Sequence, residues 1–151
     1  MTVLQLIDPE ATARDWARND AGISAAVGTK IFFSTPIAYA KAAMSNTVPF
    51  SGAPWIVLTL VSEVFQAGDL GMQLPTIQFN CYAATKSAAA TVALAVQTSV
   101  RLLTFGKPIT LNTSSTIAWA DATQARWLPD PTINMPRYIL DVRFAMHGPQ
   151  V

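Results

Sequence analysis

The feature that most constrains the fold is a change of hydrophobic period halfway along the chain. Residues 74–82 alternate apolar and polar, with Ile77, Phe79 and Cys81 on one side, and this alternation is typical of a half-buried strand. From residue 88 onward, apolar side chains recur at helical spacing instead, at Val92, Val96, Val100 and Leu103. The pattern predicts a strand that leads directly into a long helix lying across a sheet.

Both ends of this long helix are marked in the sequence. Thr85 or Ser87 can cap its start, because a side-chain oxygen accepts hydrogen bonds from the free N–H groups of the first turn. At the other end we expect Gly106 to supply a left-handed stop, and Pro108 prevents the helix from continuing. The sequence therefore predicts a helix of about five turns.

An opening helix and several strands are predicted around this central pair. Asp8, Pro9 and Glu10 form a helix-start signal, and the helix is expected to run to about Ala26. Residues 30–33 and 117–128 are each expected to contain a strand, whereas residues 107–115 are expected to form a loop.

A long β-hairpin and a closing strand complete the predicted sheet. Residues 55–61 are apolar on both faces, which indicates a strand that is central in the sheet or has one face buried by another element. The turn residues of the segment 66–71 join it to the strand at 74–82 as a β-hairpin, and residues 138–146 alternate clearly. This order of elements predicts an α+β fold with an antiparallel β-sheet, a long β-hairpin and two main helices packed on one face. One domain covering residues 1–151 is expected.

The small number of charged residues allows two explanations. Only 13% of the residues are charged and 51% are hydrophobic, whereas about 25% charge is ordinary in soluble domains. Either Ala, Thr, Ser and Gln cover the surface, or other subunits cover much of it. We favour the second explanation, and both stay open at this point.

Several partner classes are disfavoured by the charge distribution and by the chain's apolar runs. The formal net charge is +1 and the basic residues are scattered, so at most weak, non-specific contact with DNA is expected. No uninterrupted apolar run reaches the ~18 residues of a membrane span, and the N-terminus lacks a signal-peptide pattern. Cys81 is the only cysteine, which excludes an intrachain disulfide and indicates a core residue. We expect assembly in the cytoplasm and no membrane partner.

No catalytic, cofactor or metal site is predicted. His147 is the only histidine, and zinc sites require several Cys or His ligands. Asp121 and Asp130 look isolated, and no phosphate-binding, dinucleotide-binding or nucleophile-elbow motif is present. We therefore expect a protein that is not an enzyme.

Two Arg–aromatic pairs admit a nucleic-acid interpretation. Arg126-Trp127 and Arg137-Tyr138 have the composition of a base-stacking surface. The favoured alternative is that Trp127 and Tyr138 are core or interface anchors whose neighbouring guanidinium groups point outward.

Four apolar residues are candidate protein–protein contacts. The irregular insertion at about residues 34–54 contains Met44 and Phe50, and its apolar content suggests a segment ordered against a neighbour. The hairpin tip contains Leu70 and Met72, where a solvated tip would carry polar residues. The alternative for each is local packing against its own domain.

The layout resembles the small tail terminator (tail completion) proteins of long-tailed bacteriophages. The stretches that carry the resemblance are Asp8-Pro9, VGTKIF at 27–32, APWIVL at 53–58, IQFNCYA at 77–83 and RYILDVRF at 137–144. The insertion at 34–53 departs from the shorter connection expected of that family. The resemblance implies a structural virion protein that forms a hexameric ring on the tail tube, stops tube polymerisation and meets the head connector. It also implies a location at the neck end of the virion tail.

Other function classes remain open. The chain resembles other virion joints in size, so a head–tail stopper or a tail tube subunit is the first alternative. A small-molecule binder, an enzyme that uses backbone groups and a nucleic-acid module are the others.

Overall fold

The computed structural model of the chain describes residues 6–44, 53–65 and 72–149. Within these residues the fold is α+β, as predicted, with four helices and a curled, mostly antiparallel sheet of seven strands. The helices are α1 (Pro9–Asn19), α2 (Ala21–Val27), α3 (Ile37–Met44) and α4 (Lys86–Phe105). The strands are β1 (Ile31–Phe32), β2 (Trp55–Phe65), β3 (Gln73–Tyr82), β4 (Ile109–Thr110), β5 (Thr116–Ala122), β6 (Arg126–Trp127) and β7 (Arg137–His147).

The predicted hairpin and the closing strand form the middle of the sheet. The strand order is β1-β2-β3-β7-β5-β4, and β6 pairs with β7 off this path. Strand β1 runs parallel to β2, while the other pairs are antiparallel. Leu58, Phe79 and Leu140 lie side by side across β2, β3 and β7, so the most regular segments of the sequence occupy the most buried strands.

Helices cover the two faces of the sheet unequally. Helices α1, α2 and α4 pack on one face, the helix face, through a cluster of buried apolar side chains. At its centre the Trp16 ring meets the rings of Phe79 and Phe144 edge-on, with centroids 6.4 and 5.8 Å apart. The short helix α3 lies on the opposite face, the α3 face, where Tyr39 packs against Trp55.

The opening helix is broken in two, so the prediction of one helix over residues 8–26 is wrong. Asp20 has an extended backbone and ends α1. Its carboxylate accepts from the N–H of Ile23 at 3.0 Å and so caps α2, and it also accepts from the hydroxyl of Ser99 on α4. The break therefore ties the start of α2 to the long helix.

The long helix has the predicted start, but its end differs. The Thr85 side chain accepts from the N–H of Ala88 at 3.1 Å, which makes Thr85 the cap. Gly106 has φ −101°, so the predicted left-handed stop is wrong. Glycine is required there for another reason, because a Cβ at this position would lie 2.1 Å from the backbone oxygen of Leu102.

Strand pairing corrects one prediction for the connecting segments and confirms another. The loop expected at 107–115 contains β4, which pairs with β5. The segment 117–128, expected to contain a strand, holds most of β5 and all of β6, which both pair with β7. Such two-residue strands exist because a longer strand lies beside them, and their own sequence carries little periodicity.

One helix among the described residues, α4, is long and apolar enough to cross a membrane by length and composition alone. Its most apolar window has a mean hydropathy of 1.4. A core helix meets the same criterion, and in this structure α4 buries Val92, Val96 and Val100 against the sheet.

Candidate interaction surfaces

The four contact residues predicted from the sequence are not brought together by the described structure. Met44 is the last residue of α3, and Met72 is a half-buried residue immediately before β3. Helix α3 reaches the start of β2 at Trp55, whereas Met72 adjoins the other end of the hairpin, ten residue steps or about 33 Å away along β2. Phe50 and Leu70 lie outside the described residues, so their predicted contacts remain predictions.

One candidate surface that sequence reasoning missed lies on and beside α4. We call it the α4 flank, and it consists of Leu94, Leu102, Phe105 and Ile109, all of which are exposed. Phe105 has 86% of its surface exposed, which is unusual for an aromatic residue that ends a well-packed helix. Leu94, Leu102 and Phe105 are spaced by eight and three positions along α4 and lie opposite the buried valines. This spacing is the sequence signal from which the surface could have been predicted.

A groove runs along the α4 flank between α4 and β5. Its volume is about 500 Å³, and it is lined by Gln97, Val100, Arg101, Thr104, Phe105, Asp121, Ala122 and Gln124. The lining mixes apolar side chains with amides and opposite charges. This composition resembles the rim of a protein–protein contact more than an enclosed ligand pocket.

A second apolar surface lies at the opposite side of the sheet. We call it the β2 flank, and it consists of Phe33, Ile37 and Val61, which are exposed by 40, 75 and 56%. The guanidinium of Arg14 lies 4.1 Å from the centre of the Phe33 ring. Phe33 directly follows the short strand β1 and is only partly covered.

A polar cluster holds the segment before β7 against the α3 face. The Tyr82 hydroxyl donates to Asp130 at 2.7 Å, and Arg137 Nη1 lies 3.8 Å from the same carboxylate oxygen. Arg137 also donates to the backbone oxygen of Leu128 at 2.9 Å. The sequence suggested that Asp130 is isolated, but in the structure it is the centre of this cluster.

The cluster shifts the pKa of two of its members in opposite directions. Burial, followed by the hydrogen bond to Asp130, raises the pKa of Tyr82 to about 12. Burial alone would raise the pKa of Asp130, but hydrogen bonds from Tyr82 and from the Thr132 backbone, together with the charge of Arg137, lower it overall. Both shifts favour the hydrogen-bonded pair of a neutral phenol and a charged carboxylate at neutral pH.

The two Arg–aromatic pairs differ in their environments. Trp127 is 39% exposed, packs on Tyr138 at 5.5 Å and has the Lys86 ammonium 4.8 Å from its ring. Arg126 reaches Asp141 at 3.7 Å. Arg137 packs inward onto Asp130, so the expectation that its guanidinium points outward is wrong. Both arginines face carboxylates, which weakens the case for a phosphate-binding surface.

Charged pairs on the open part of the α3 face connect neighbouring strands. Asp121 on β5 accepts from Arg143 on β7 at 2.8 Å. Asp121 is therefore not isolated, and Asp141 on β7 likewise has a partner on another strand, Arg126 on β6. These contacts are partly exposed, so they orient side chains more than they stabilise the fold.

The surroundings of His147 and Cys81 in the structure indicate structural roles for both residues. His147 Nδ1 lies 2.7 Å from the backbone oxygen of Gly148, and Cys81 is fully buried in the helix-face core, as predicted. Burial also raises the pKa of the Cys81 thiol, which keeps it unreactive. Among residues 6–44, 53–65 and 72–149, no group of three or more His, Cys, Asp or Glu side chains has an arrangement that would hold a metal ion.

The fold is similar to that of a solved virion component. No protein-family model matches the sequence, and no curated protein matches it in sequence. A chain from the structure "Virion of native gene transfer agent (GTA) particle" superposes with a TM-score of 0.60 and 16% identity, and the match covers 94% of this chain and 100% of that chain. At this identity the similarity establishes a shared fold.

Proposed function

We propose that this protein is a structural component of a phage-like virion and that it acts as a tail terminator. In this role several copies, six in the family that the sequence resembles, form a ring on the end of the tail tube. The ring stops tube polymerisation and joins the tail to the head connector.

The observation that carries the proposal is the presence of apolar flanks on opposite sides of one sheet. A closed ring needs two different, complementary surfaces on each copy, because each copy contacts its neighbours head to tail. The α4 flank lies beside the terminal strand β4, and the β2 flank lies beside the terminal strand β1. Two flanks of this kind also account for the low charge of the chain.

The shared fold supports the virion assignment. The gene transfer agent chain is matched over its whole length, which supports a role of this protein as a virion component. Among virion joints, the resemblance of the sequence to the tail terminator family favours the terminator role.

The ends of the hairpin are the proposed contacts with the adjoining rings. Met72 lies at one end of the sheet, and Met44 ends helix α3, which packs toward the other end. Leu70 and Phe50 are included in the proposal as contacts predicted from the sequence. We assign one end to the tail tube protein and the other to the head connector or stopper protein. The role requires no cofactor and no catalytic residue, and DNA that passes through the lumen makes only non-specific contact.

The direct experiment measures the size of the purified protein with and without assembled tail tubes. We expect discrete rings, or monomers that become rings on tubes, in electron microscopy and light scattering. Addition of the protein to polymerising tube subunits should shorten the tubes. Long self-assembled tubes would instead identify a tube subunit, and a protein that neither forms rings nor binds tubes would exclude the terminator role.

A pair of flank variants tests the ring geometry itself. Phe105→Glu disables the α4 flank and Val61→Glu disables the β2 flank, and each variant alone should fail to form rings. An equal mixture of the two retains one intact pair of surfaces, so it should form dimers and nothing larger. Leu128→Glu, at an exposed apolar residue outside both flanks, is the matched control and should leave ring formation unchanged.

A further inference from the structure

The outward side of α4 carries a continuous stripe of residues along the length of the helix. We call it the α4 seam, and its members are all exposed and follow one another at intervals of three or four positions: Ser87, Thr91, Leu94, Thr98, Leu102 and Phe105. This spacing is that of a helix face that packs against a second helix. The helix is also more apolar than its own fold requires, because only 39% of its most apolar 18-residue window is buried.

Side-chain size changes along the α4 seam. Its first half carries the small residues Ser87 and Thr91, and its second half ends in Leu102 and Phe105, which are 67 and 86% exposed. Two copies of the seam that pack antiparallel set large side chains against small ones, with Phe105 of each copy over Ser87 of the other and Leu102 over Thr91. A parallel pair would set large against large and small against small. Since close packing requires large and small residues at facing positions, the seam is complementary to itself only in the antiparallel arrangement.

Two polar members of the seam can be buried without the loss of a hydrogen bond. The Thr91 hydroxyl donates to the backbone oxygen of Ser87 at 3.1 Å, and the Thr98 hydroxyl donates to that of Leu94 at 2.9 Å. Because both hydroxyls donate within their own helix, covering them with another helix costs little. In a helix–helix contact the two threonines therefore act as small, nearly apolar residues.

The electrostatics of α4 also favour an antiparallel second copy. A helix carries partial positive charge at its N-terminus and partial negative charge at its C-terminus. Helix α4 has no acidic residue in its first turn and no basic residue in its last turn to offset these charges. An antiparallel copy places each negative end beside a positive end, whereas a parallel copy would place like ends together.

We propose that the α4 seam binds the α4 seam of a second copy of this chain in solution, in an antiparallel, two-fold pair. Helix α4 has 20 residues, so it is about 30 Å long and about 10–12 Å wide, and the pair buries roughly 700 Å² in total. Interfaces below about 1,200 Å² are typical of weak, transient contacts, so the pair dissociates on dilution.

The two-fold pair and the ring use the same surface. Leu94, Leu102 and Phe105 belong both to the α4 seam and to the α4 flank, so a copy held in the pair cannot make the ring contact. The pair itself does not depend on the ring, but its role as a competitor of ring closure rests on the proposed function. In that role it keeps free copies from closing rings away from a tube end.

Disulfide trapping tests the two-fold geometry. Copies with Thr91→Cys and copies with Leu102→Cys, mixed under a mild oxidant without tail tubes, should form a covalent dimer that contains one copy of each. Neither variant alone should do so, because in a pair centred near residue 96 residue 91 lies about 15 Å from its counterpart and residue 102 about 18 Å, whereas a disulfide requires Cα atoms within about 7 Å. Cys81 is fully buried and does not compete. The absence of the mixed dimer, or equally fast trapping of either variant alone, would overturn the proposal.

Point variants separate the two-fold pair from the ring. In analytical ultracentrifugation without tubes, the mass of the original protein should rise toward that of a dimer with increasing concentration. Leu94→Glu, at an exposed residue in the middle of the seam, should abolish this rise and leave thermal unfolding unchanged, whereas Val61→Glu on the β2 flank should keep it. An original protein that stays monomeric, or a Leu94→Glu variant that still dimerises, contradicts the two-fold pair.

The trapped dimer tests the competition with the ring. It should not shorten polymerising tail tubes until the disulfide is reduced, and a trapped dimer that shortens them as the original protein does would refute the competition. If the mixed dimer forms but the original protein has no effect on tubes, the terminator role fails and the two-fold pair stands.

Discussion

The two faces of the sheet are buried in different ways. The helix face is covered by three helices, and its buried cluster consists of apolar side chains. The α3 face is covered at one end by a short helix and by the segment before β7, and there aromatic rings lie among polar groups. Trp55 stacks on Tyr82 with ring centres 4.8 Å apart, and Asn80 donates to the backbone oxygen of Val57 at 3.0 Å.

The difference separates what holds the fold together from what shapes its surface. A face covered by amphipathic helices needs only apolar side chains at the right period, because burial itself is favourable in any packed arrangement. A face covered by irregular chain needs particular hydrogen bonds, because the backbone of that chain has few partners of its own. The helix face should therefore dominate the free energy of unfolding, and the α3 face should control the local geometry.

The largest expected effect is on the helix face. Phe144 is 1% exposed and packs against Trp16 and Phe79. Phe144→Ala should lower the free energy of unfolding by about 3–5 kcal/mol, since it removes apolar burial and leaves a cavity. Urea denaturation monitored by tryptophan fluorescence measures this. Phe33→Ala, at a partly exposed ring, is the control and should cost much less. Similar losses for the two variants would break the proposed contrast between core and flank.

A smaller effect is expected on the α3 face. Tyr82→Phe keeps the stacked ring but removes the hydroxyl that donates to Asp130, so the free energy of unfolding should fall by about 1–2 kcal/mol. Tyr138→Phe, on the adjacent strand β7, is the matched control and should change stability less. Thermal unfolding followed by circular dichroism compares them. A loss as large as that of Phe144→Ala would mean that the polar cluster, and not the helix face, dominates stability.

The same cluster predicts a pH dependence. Because the folded pKa of Asp130 is lowered from 3.8, its contribution is present at neutral pH and is lost as the pH falls through the folded pKa. Because the folded pKa of Tyr82 is raised from 10.0 to about 12, its contribution is present below pH 10 and is lost as the pH rises toward 12. The melting temperatures of the original protein and Tyr82→Phe should therefore converge at both extremes. A constant difference across pH would contradict the assignment.

The smallest effect is expected at the exposed charged pairs of the α3 face. Asp121→Asn weakens the contact with Arg143, whose side chain is 65% exposed. The change should cost about 0.2–1 kcal/mol at low salt and less at high salt, because exposed ion pairs are screened. Chemical denaturation at two salt concentrations measures this. A larger, salt-independent loss would show that the open part of this face is structurally more important than its exposure suggests.

The parts of the fold that were predictable from the sequence depend on local periodicity. The hairpin, the closing strand and α4 were recognisable because their apolar residues repeat at the period of the element they form. The Asp20 carboxylate at the break also accepts a hydrogen bond from Ser99, 79 positions away, and the short strands β4 and β6 exist through their neighbours. No local pattern carries such information.

The candidate surfaces were only partly predictable for a related reason. Low charge indicated covered surface but not its location. The apolar residues in a predicted turn directed attention to Leu70 and Met72, whereas Phe105 and Val61 were recognisable only once the buried sides of α4 and β2 were known. Exposure is a property of the packed chain, so an apolar residue inside a regular element cannot be assigned to a flank before its element is oriented.

The contact between residue 106 and Leu102 has a consequence for sequence variation. Since the obstacle is a main-chain oxygen and not a flexible side chain, even alanine would force the last turn of α4 to unwind or the path toward β4 to move. A saturation library at this codon, selected for folded protein, should return glycine almost alone, while the neighbouring Lys107 codon should accept many replacements.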